Sequence, residues 1–365
     1  MIAVLLGAVV AVLADGWEPI AAAPLAPRSG HAVVWTGTEM IIWGGTGEES
    51  RTFGDGAAYN PRTDVWRKLA PAPLRPRERA VAVWTGKEML LWGGDSKGGI
   101  VKFSDGAAYE PQANSWRRLP RAPLSPRFGH SGVWTGRELL VFGGFTLYDE
   151  SGEAAAYDPS RRRWRLLAPW RARHDHTAIW TGREMIVWGG DGPQSFERDG
   201  AAYDPRRDRW RRLPASPLGG RVLHSAVWTG REMVVVGGAS NRQLRHAAAA
   251  YDPRTRRWQL LPPPVGLPVG DRAVWTGRTS VFWKGAELDP ATATWSGFPP
   301  APLSARLAPS VVWTGSEVIV WGGEGCTDAC YRADGARHRS TLSSPWTSSR
   351  SAAAGTTNAS PALAG

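Results

Sequence analysis

The sequence predicts an all-β protein: seven copies of a four-stranded sheet, set radially in one closed ring. Three observations carry that expectation. Trp-Thr-Gly occurs seven times, at Trp35, Trp84, Trp134, Trp180, Trp228, Trp275 and Trp313, with spacings of 49, 50, 46, 48, 47 and 38 residues. Most copies are followed at near-constant offsets by an apolar run, a double glycine, a Tyr and a Trp. The 21 Trp are placed with the same regularity, which marks them as structural. A repeat near 50 residues overrides the domain count that the 365-residue length alone would suggest.

The elements follow in order within each copy. The first strand is the run that ends in Trp-Thr-Gly, such as His31–Trp35. Thr-Gly makes a tight hairpin turn in which glycine supplies a positive φ. The second strand is apolar throughout, as in Met40–Trp43, Met89–Trp92, Met185–Trp188 and Val318–Trp321. A strand apolar on both faces has to be covered on both sides, as stacked sheets would do. It ends in Gly-Gly in six copies, for example Gly44-Gly45 and Gly189-Gly190. Glycine there permits a close backbone approach. The third strand is Ala-Ala-Tyr, ending at Tyr59, Tyr109, Tyr157, Tyr203 and Tyr251. An Asp-Pro or similar turn leads to a fourth strand whose Trp stands seven residues after the Tyr: Trp66, Trp116, Trp164, Trp210 and Trp258. Pro-rich linkers such as Ala70–Pro73 close each copy.

The double glycine after an apolar strand, followed by Tyr and Trp at short spacing, resembles the kelch-repeat family over roughly residues 17–335. That resemblance implies a β-propeller with four-stranded blades around a central channel. Two copies depart from the pattern. The sixth is 38 residues long and carries Trp283-Lys284-Gly285 in place of the double glycine, so a thin blade is expected. The seventh keeps Gly322-Gly323 but lacks a clear Tyr-Asp-Pro.

Trp17-Glu-Pro-Ile20 has the fourth-strand pattern without a third strand before it. Trp17 precedes Arg28 by 11 residues, as Trp66 precedes Arg77 and Trp210 precedes Arg221. The expectation is that this N-terminal strand completes the seventh blade and removes an open edge; Trp346 competes for the place. Residues 1–14 form an uncharged apolar run, too short for a membrane span. It has the length of a signal-peptide core, with Val12-Leu13-Ala14 as a small-residue cleavage site but no basic segment before it. Export to the periplasm or beyond the cell is the preferred reading. The rivals are a buried apolar strand or a truncated anchor, with a cytoplasmic location as the alternative. No later segment is apolar enough to span a membrane. The propeller is assigned to 15–338. Residues 339–365, rich in Ser, Ala and Thr, are expected to be a disordered tail.

The net charge of +11 suits an anionic partner, but Arg outnumbers Lys so heavily that a general compositional preference is the favoured account. Cys326 and Cys330 could bridge one loop in an oxidising compartment. Zinc would need two further ligands, and only His338 is close, so neither metal nor cofactor is expected.

In an up-and-down blade, the Thr-Gly and third-to-fourth turns share one face. The second-to-third loops share the other, and they differ from blade to blade, so specificity is expected there. Large aromatics in these loops, Phe53, Phe103, Phe145, Tyr148 and Phe196, are candidate partner contacts, or they pack each loop on its own blade. Seven residues before the Trp-Thr-Gly Trp stands an Arg in six blades: Arg28, Arg77, Arg127, Arg173, Arg221 and Arg306. Four residues before it stands a His in four blades: His31, His130, His176 and His224. These form two expected rings near the channel mouth. They read as an anion site of convergent guanidinium forks or as repeated structural pairs. Arg161–Arg163, Arg206-Arg207, Arg254 and Arg256-Arg257 would form a basic rim on the opposite face. Glu39, Glu88, Glu138, Glu184, Glu232 and Glu317 are expected to pair with Arg across blades.

The leading functional reading is a non-catalytic, monomeric, exported propeller that binds a protein or an acidic carbohydrate through its variable loops; nucleic acid is not favoured. The alternative is a carbohydrate-active enzyme. Kelch resemblance admits galactose-oxidase-like copper enzymes, whose Tyr–Cys crosslink has no support with both Cys in one loop. It also admits sialic-acid-mutarotase-like proteins, which the Arg and His sets at the mouth could serve. Fold alone does not choose between these readings.

Overall fold

The computed structural model describes residues 16–240, 247–264, 272–325 and 330–339, with the backbone of 243–244. Seven four-stranded antiparallel sheets make a seven-bladed β-propeller. Blade 1 comprises Ala32–Trp35, Met40–Trp43, Gly56–Asn60 and Val65–Lys68. Blades 2 to 5 repeat that order, with first strands Val81–Trp84, Ser131–Trp134, Thr177–Trp180 and Ser225–Trp228. Blade 6 is the thin one, with three-residue first and second strands, Ala273–Trp275 and Ser280–Phe282. Among the described residues no helix is long and apolar enough to cross a membrane.

The second strands are apolar on both faces because each blade is sandwiched between two others. Blade 1 shows the division. Ala32, Val34, Ile41, Trp43 and Ala58 pack with Ala80, Met89, Leu91 and Tyr109 of blade 2. Val33, Met40, Ile42, Ala57 and Tyr59 pack with Val312, Ile319 and Trp321 of blade 7. Alternate residues thus serve alternate neighbours, as the two-residue period of a strand requires.

Blade 7 consists of Ser310–Trp313, Glu317–Trp321, Gly335–Arg339 and, as its outermost strand, Trp17–Pro19. Trp17 pairs with His338 and Pro19 with Ala336. The ring is closed by the N-terminal strand. One inter-blade bond verifies the register: the indole N–H of every fourth-strand Trp donates to a linker carbonyl of the preceding blade. Trp66 reaches Ala21, Trp116 Ala70, Trp164 Pro120, Trp210 Ala168, Trp258 Pro214 and Trp295 Pro262. Trp17 makes the seventh bond, to Pro299 at 2.7 Å. Residues 1–14, Trp346, Cys326 and the tail from 340 lie outside the described residues, and with them the signal-peptide, disulfide and tail expectations.

Candidate functional site

The repeated arginines turn their heads into the scaffold. The side chains of Arg28, Arg77, Arg127, Arg173 and Arg306 are fully buried and that of Arg221 nearly so. Each Nη1 donates to the carbonyl of the first glycine in its own blade's pair: Gly44, Gly93, Gly143, Gly189, Gly237 and Gly322. Five of them also pair with a carboxylate just before the third strand: Asp55, Asp105, Glu153, Asp199 and Asp334. Their backbones serve the neighbour. The carbonyls of Arg77, Arg127, Arg173 and Arg221 accept from Gly45, Gly94, Gly144 and Gly190 of the preceding blade, and Arg28 accepts from Gly323 across the closure. Five of the six therefore stitch two blades. Burial lowers the pKa of Arg28, Arg77 and Arg127 even beside their acids.

The histidines occupy the same seams. His31 Nε2 lies 2.5 Å from Ser310 Oγ, His176 2.8 Å from Ser131 Oγ and His224 2.9 Å from Thr177 Oγ1, each on the preceding blade. His130 meets the Trp92 carbonyl at 3.3 Å. Burial drives His31, His130 and His224 down to about 3 and His176 well below its ordinary value, so all four are neutral imidazoles. The expected rings of Arg and His at an open mouth are thus a set of bonds inside and between blades.

The recurring Glu does not pair across blades. Glu39, Glu88, Glu138, Glu184 and Glu317 pair within their own blade, with Arg67, Arg117, Arg165, Arg211 and Arg339. It is the Arg that crosses: Arg67, Arg117 and Arg211 donate onward to Tyr109, Tyr157 and Tyr251 of the next blade. Phe53 and Phe103 cover the buried guanidiniums of Arg28 and Arg77 at 4.1 and 4.0 Å. Phe196 is half-buried opposite Asp191. Phe145 and Tyr148 belong to a different constellation.

That constellation is built from the two residues after each Arg, a pair the sequence reading passed over. The second of them has a left-handed backbone in six blades: Gly30 (φ 63°), Arg79 (54°), Gly129 (64°), Asp175 (51°), Leu223 (57°) and Ala308 (47°). Glycine adopts that conformation freely; a charged residue does so against a cost and is a pointer to function. The signal was present: a slot that two blades fill with glycine holds Arg79 and Asp175 in two others. Backbone bonds link the slots from blade to blade, with Arg79 N–H on the Gly30 carbonyl and Asp175 N–H on that of Gly129, both at 2.8 Å.

Around these slots, blades 2 to 4 form an asymmetric charged and aromatic mouth. Arg79 forks onto Asp95, Nε to Oδ1 at 2.7 Å and Nη2 to Oδ2, and stacks 3.9 Å from the Phe128 ring centre. Lys102 Nζ lies 5.4 Å from Phe128 and 5.1 Å from Phe145. The two rings are 5.7 Å apart, and His174 meets Phe145 at 5.3 Å. The His174 imidazole stands 3.9 Å from the Glu150 carboxylate and 3.7 Å from that of Asp175. Burial raises the carboxyls of Asp175 and Asp191. Glu78, beside Arg79, is pushed up to about 7 by burial, with Asp95 and Glu324 adding to the effect.

The Attractin/LZTR1 β-propeller family model matches residues 9–240. The chain belongs to that family. The match spans the N-terminal strand and blades 1 to 5 as far as Ser240, and so includes the whole mouth of blades 2 to 4. No curated protein sequence gives a significant match. Among the described residues, no three His, Cys, Asp or Glu side chains converge to hold a metal ion.

Proposed function

We propose that the chain is a non-catalytic interaction propeller that docks a partner protein on the loop face of blades 2 to 4. One observation carries this reading. Ile100 (76% exposed), Leu147 (54%) and Tyr148 (84%) sit on the second-to-third loops of the adjoining blades 2 and 3. Among the described residues, the other strongly exposed large apolar side chains, Val65, Leu166 and Leu260, are scattered singly on fourth strands of three blades. Clustered apolar exposure rimmed by charge favours a protein contact. An acidic carbohydrate suits this face less well, because carboxylates surround it. The mutarotase-like alternative drew on the Arg and His sets, whose side chains are buried in the blades and the seams between them. The apolar run at 1–14 supports export, so the partner would be met outside the cytoplasm.

A photo-crosslinking residue in place of Tyr148 tests the docking face, with the same residue in place of Arg162 on the opposite face as control. The expected result is a discrete protein adduct from position 148 alone, lost when Ile100 and Leu147 are changed to Ser. Equal labelling from both positions, or an adduct indifferent to Ile100→Ser and Leu147→Ser, would overturn the reading.

A further inference from the structure

The third-to-fourth turns lie on the face opposite the mouth, and they share its charge unevenly. In blades 3, 4 and 5 the turn residues 160–163, 206–209 and 254–257 include nine Arg, whereas the same positions of blades 1, 2 and 6 hold one, Arg62. A compositional preference for Arg would fill these turns alike. All nine are exposed, and so are Arg137, Arg183 and Arg231 of the Thr-Gly turns beside them. The acids nearby are already committed. Asp158, Asp204 and Asp252 accept the backbone N–H of Ser160, Arg206 and Arg254 at 2.9, 2.9 and 2.8 Å. Arg161 and Arg207 reach the first two only at 3.9 and 4.0 Å, and Asp252 and Glu232 both face Arg231 at 3.6 Å. The other seven turn arginines make no ion pair among the described residues.

One turn position shows arginine where the fold does not ask for it. The backbone there is left-handed in six blades: Asp64 (φ 53°), Asn114 (44°), Arg162 (51°), Asp208 (49°), Arg256 (57°) and Ala293 (54°). In blades 1, 2 and 4 the side-chain oxygen accepts both the Tyr hydroxyl of its own blade and a linker N–H. Asp64 takes Tyr59 and Ala21, Asn114 takes Tyr109 and Ala70, and Asp208 takes Tyr203 and Ala168. In blades 3 and 5 the linker residue is Pro120 or Pro214, which has no N–H to give. Arg162 and Arg256 thus hold a costly conformation in a place freed from that duty. Apolar surface accompanies the charge. Arg256 and Arg257 line a surface cleft of about 450 Å³ with Pro214, Pro217, Trp258 and Leu260. Leu260 is 59% exposed, and Leu166, at the same place in blade 3, is 60% exposed.

We propose that the turns of blades 3 to 5 dock on the surface of a bilayer rich in anionic phospholipid, with the guanidinium groups on lipid phosphates and Leu166 and Leu260 against the apolar part of the headgroup region. Nucleic acid or an acidic polysaccharide would satisfy the arginines but not the leucines, and the turns carry no aromatic ring on which bases could stack. This face is distinct from the one that docks a protein, and the inference stands without that reading. The test measures co-sedimentation of the full chain with vesicles of phosphatidylcholine alone and of phosphatidylcholine mixed with phosphatidylglycerol. Binding should be tighter to the mixed vesicles and should weaken at high salt. Arg162→Gln combined with Arg206→Gln and Arg256→Gln should weaken it about 100-fold, at about fivefold for each arginine. Arg62→Gln combined with Lys87→Gln and Arg278→Gln removes the same charge from the same face at blades 1, 2 and 6, and should weaken it only several-fold. Leu260→Ser should weaken vesicle binding and leave any binding of heparin unchanged. Equal affinity for the two kinds of vesicle, or equal losses in the two triple variants, overturns the proposal. Vesicle binding indifferent to Leu260→Ser, or binding of heparin or duplex DNA without binding of mixed vesicles, overturns the choice of a bilayer.

Discussion

At the scale of residues, burial decides what the polar groups do. His31, His130 and His224 titrate at about 3 in the folded chain and near 6.5 when exposed. Between those values the unfolded chain takes up protons that the folded chain refuses. The stability they contribute is therefore complete above pH 6.5 and is lost as the pH falls toward 3, at up to about 1.4 kcal/mol per pH unit for each imidazole. Glu78 works in the opposite sense. Its folded midpoint of about 7 lies above the ordinary 4.5, so its contribution is complete below 4.5 and lost as the pH rises through 7. Three histidines outweigh one glutamate, and urea-unfolding stability should decline from pH 6.5 to 4. His130→Gln should flatten that decline by about one histidine's share; an unchanged slope would show that His130 is not held neutral. The same residues show what the sequence withheld. An Arg repeated in six blades is legible as important, but not as spent on a glycine carbonyl, because a constant spacing of 16 positions does not tell that the side chain folds back across the hairpin onto that backbone group. The deviations told more. Arg79 and Asp175 stand where Gly30 and Gly129 stand in other blades, and a departure inside a repeat is visible without a structure.

At the scale of elements, the double glycine permits two close approaches: a Cβ on Gly44 would stand 2.6 Å from the Arg77 carbonyl of the next blade, and Gly45 closes on the entry to the first strand of its own blade. Gly45 has φ +102°, and a Cβ there would stand 2.7 Å from the Ser29 carbonyl and 3.0 Å from His31 Cβ. Gly37, in the Thr-Gly turn, has a similar φ of +97° but nothing within 4 Å of an added Cβ. Gly37→Ala should cost only the backbone strain, about 1–2 kcal/mol. Gly45→Ala should cost about 4 kcal/mol or more, the range reached only when a packed contact is also broken. Equal losses in urea titrations of the two variants would refute the close approach as the reason for the pair. Strand identity, order and hairpin turns were legible from period and composition, since each uses local chemistry repeated seven times. The thin sixth blade was legible too, from its short spacing and its missing Gly-Gly. Glu pairing was not: Glu39 and Arg67 are 28 positions apart and meet only because the first and fourth strands of one blade share an end.

At the scale of the molecule, closure rests on a three-residue strand. Trp17 is fully buried, holds the Pro299 carbonyl and packs edge-on against Phe298 and His338. Glu18 adds an ion pair to Arg337 at 3.0 Å. Trp17→Ala should cost about 3–5 kcal/mol, the range for emptying a buried Trp site. Amide exchange should speed up first in 335–339 and only later in blades 2 to 4. Uniform acceleration round the ring would mean that the blades unfold as one body, with no weak point at the closure. The sequence located this strand because Trp17 keeps the distance of other fourth-strand Trp residues to the next Arg. The register of Trp17 on His338 also fixes an orientation. Residues 16 and 339 lie where the other blades make their third-to-fourth turns, so both ends of the propeller leave from the face opposite the mouth. A propeller moored by either end would hold Tyr148, Phe145 and Glu78 turned away from its mooring, open to whatever approaches from outside.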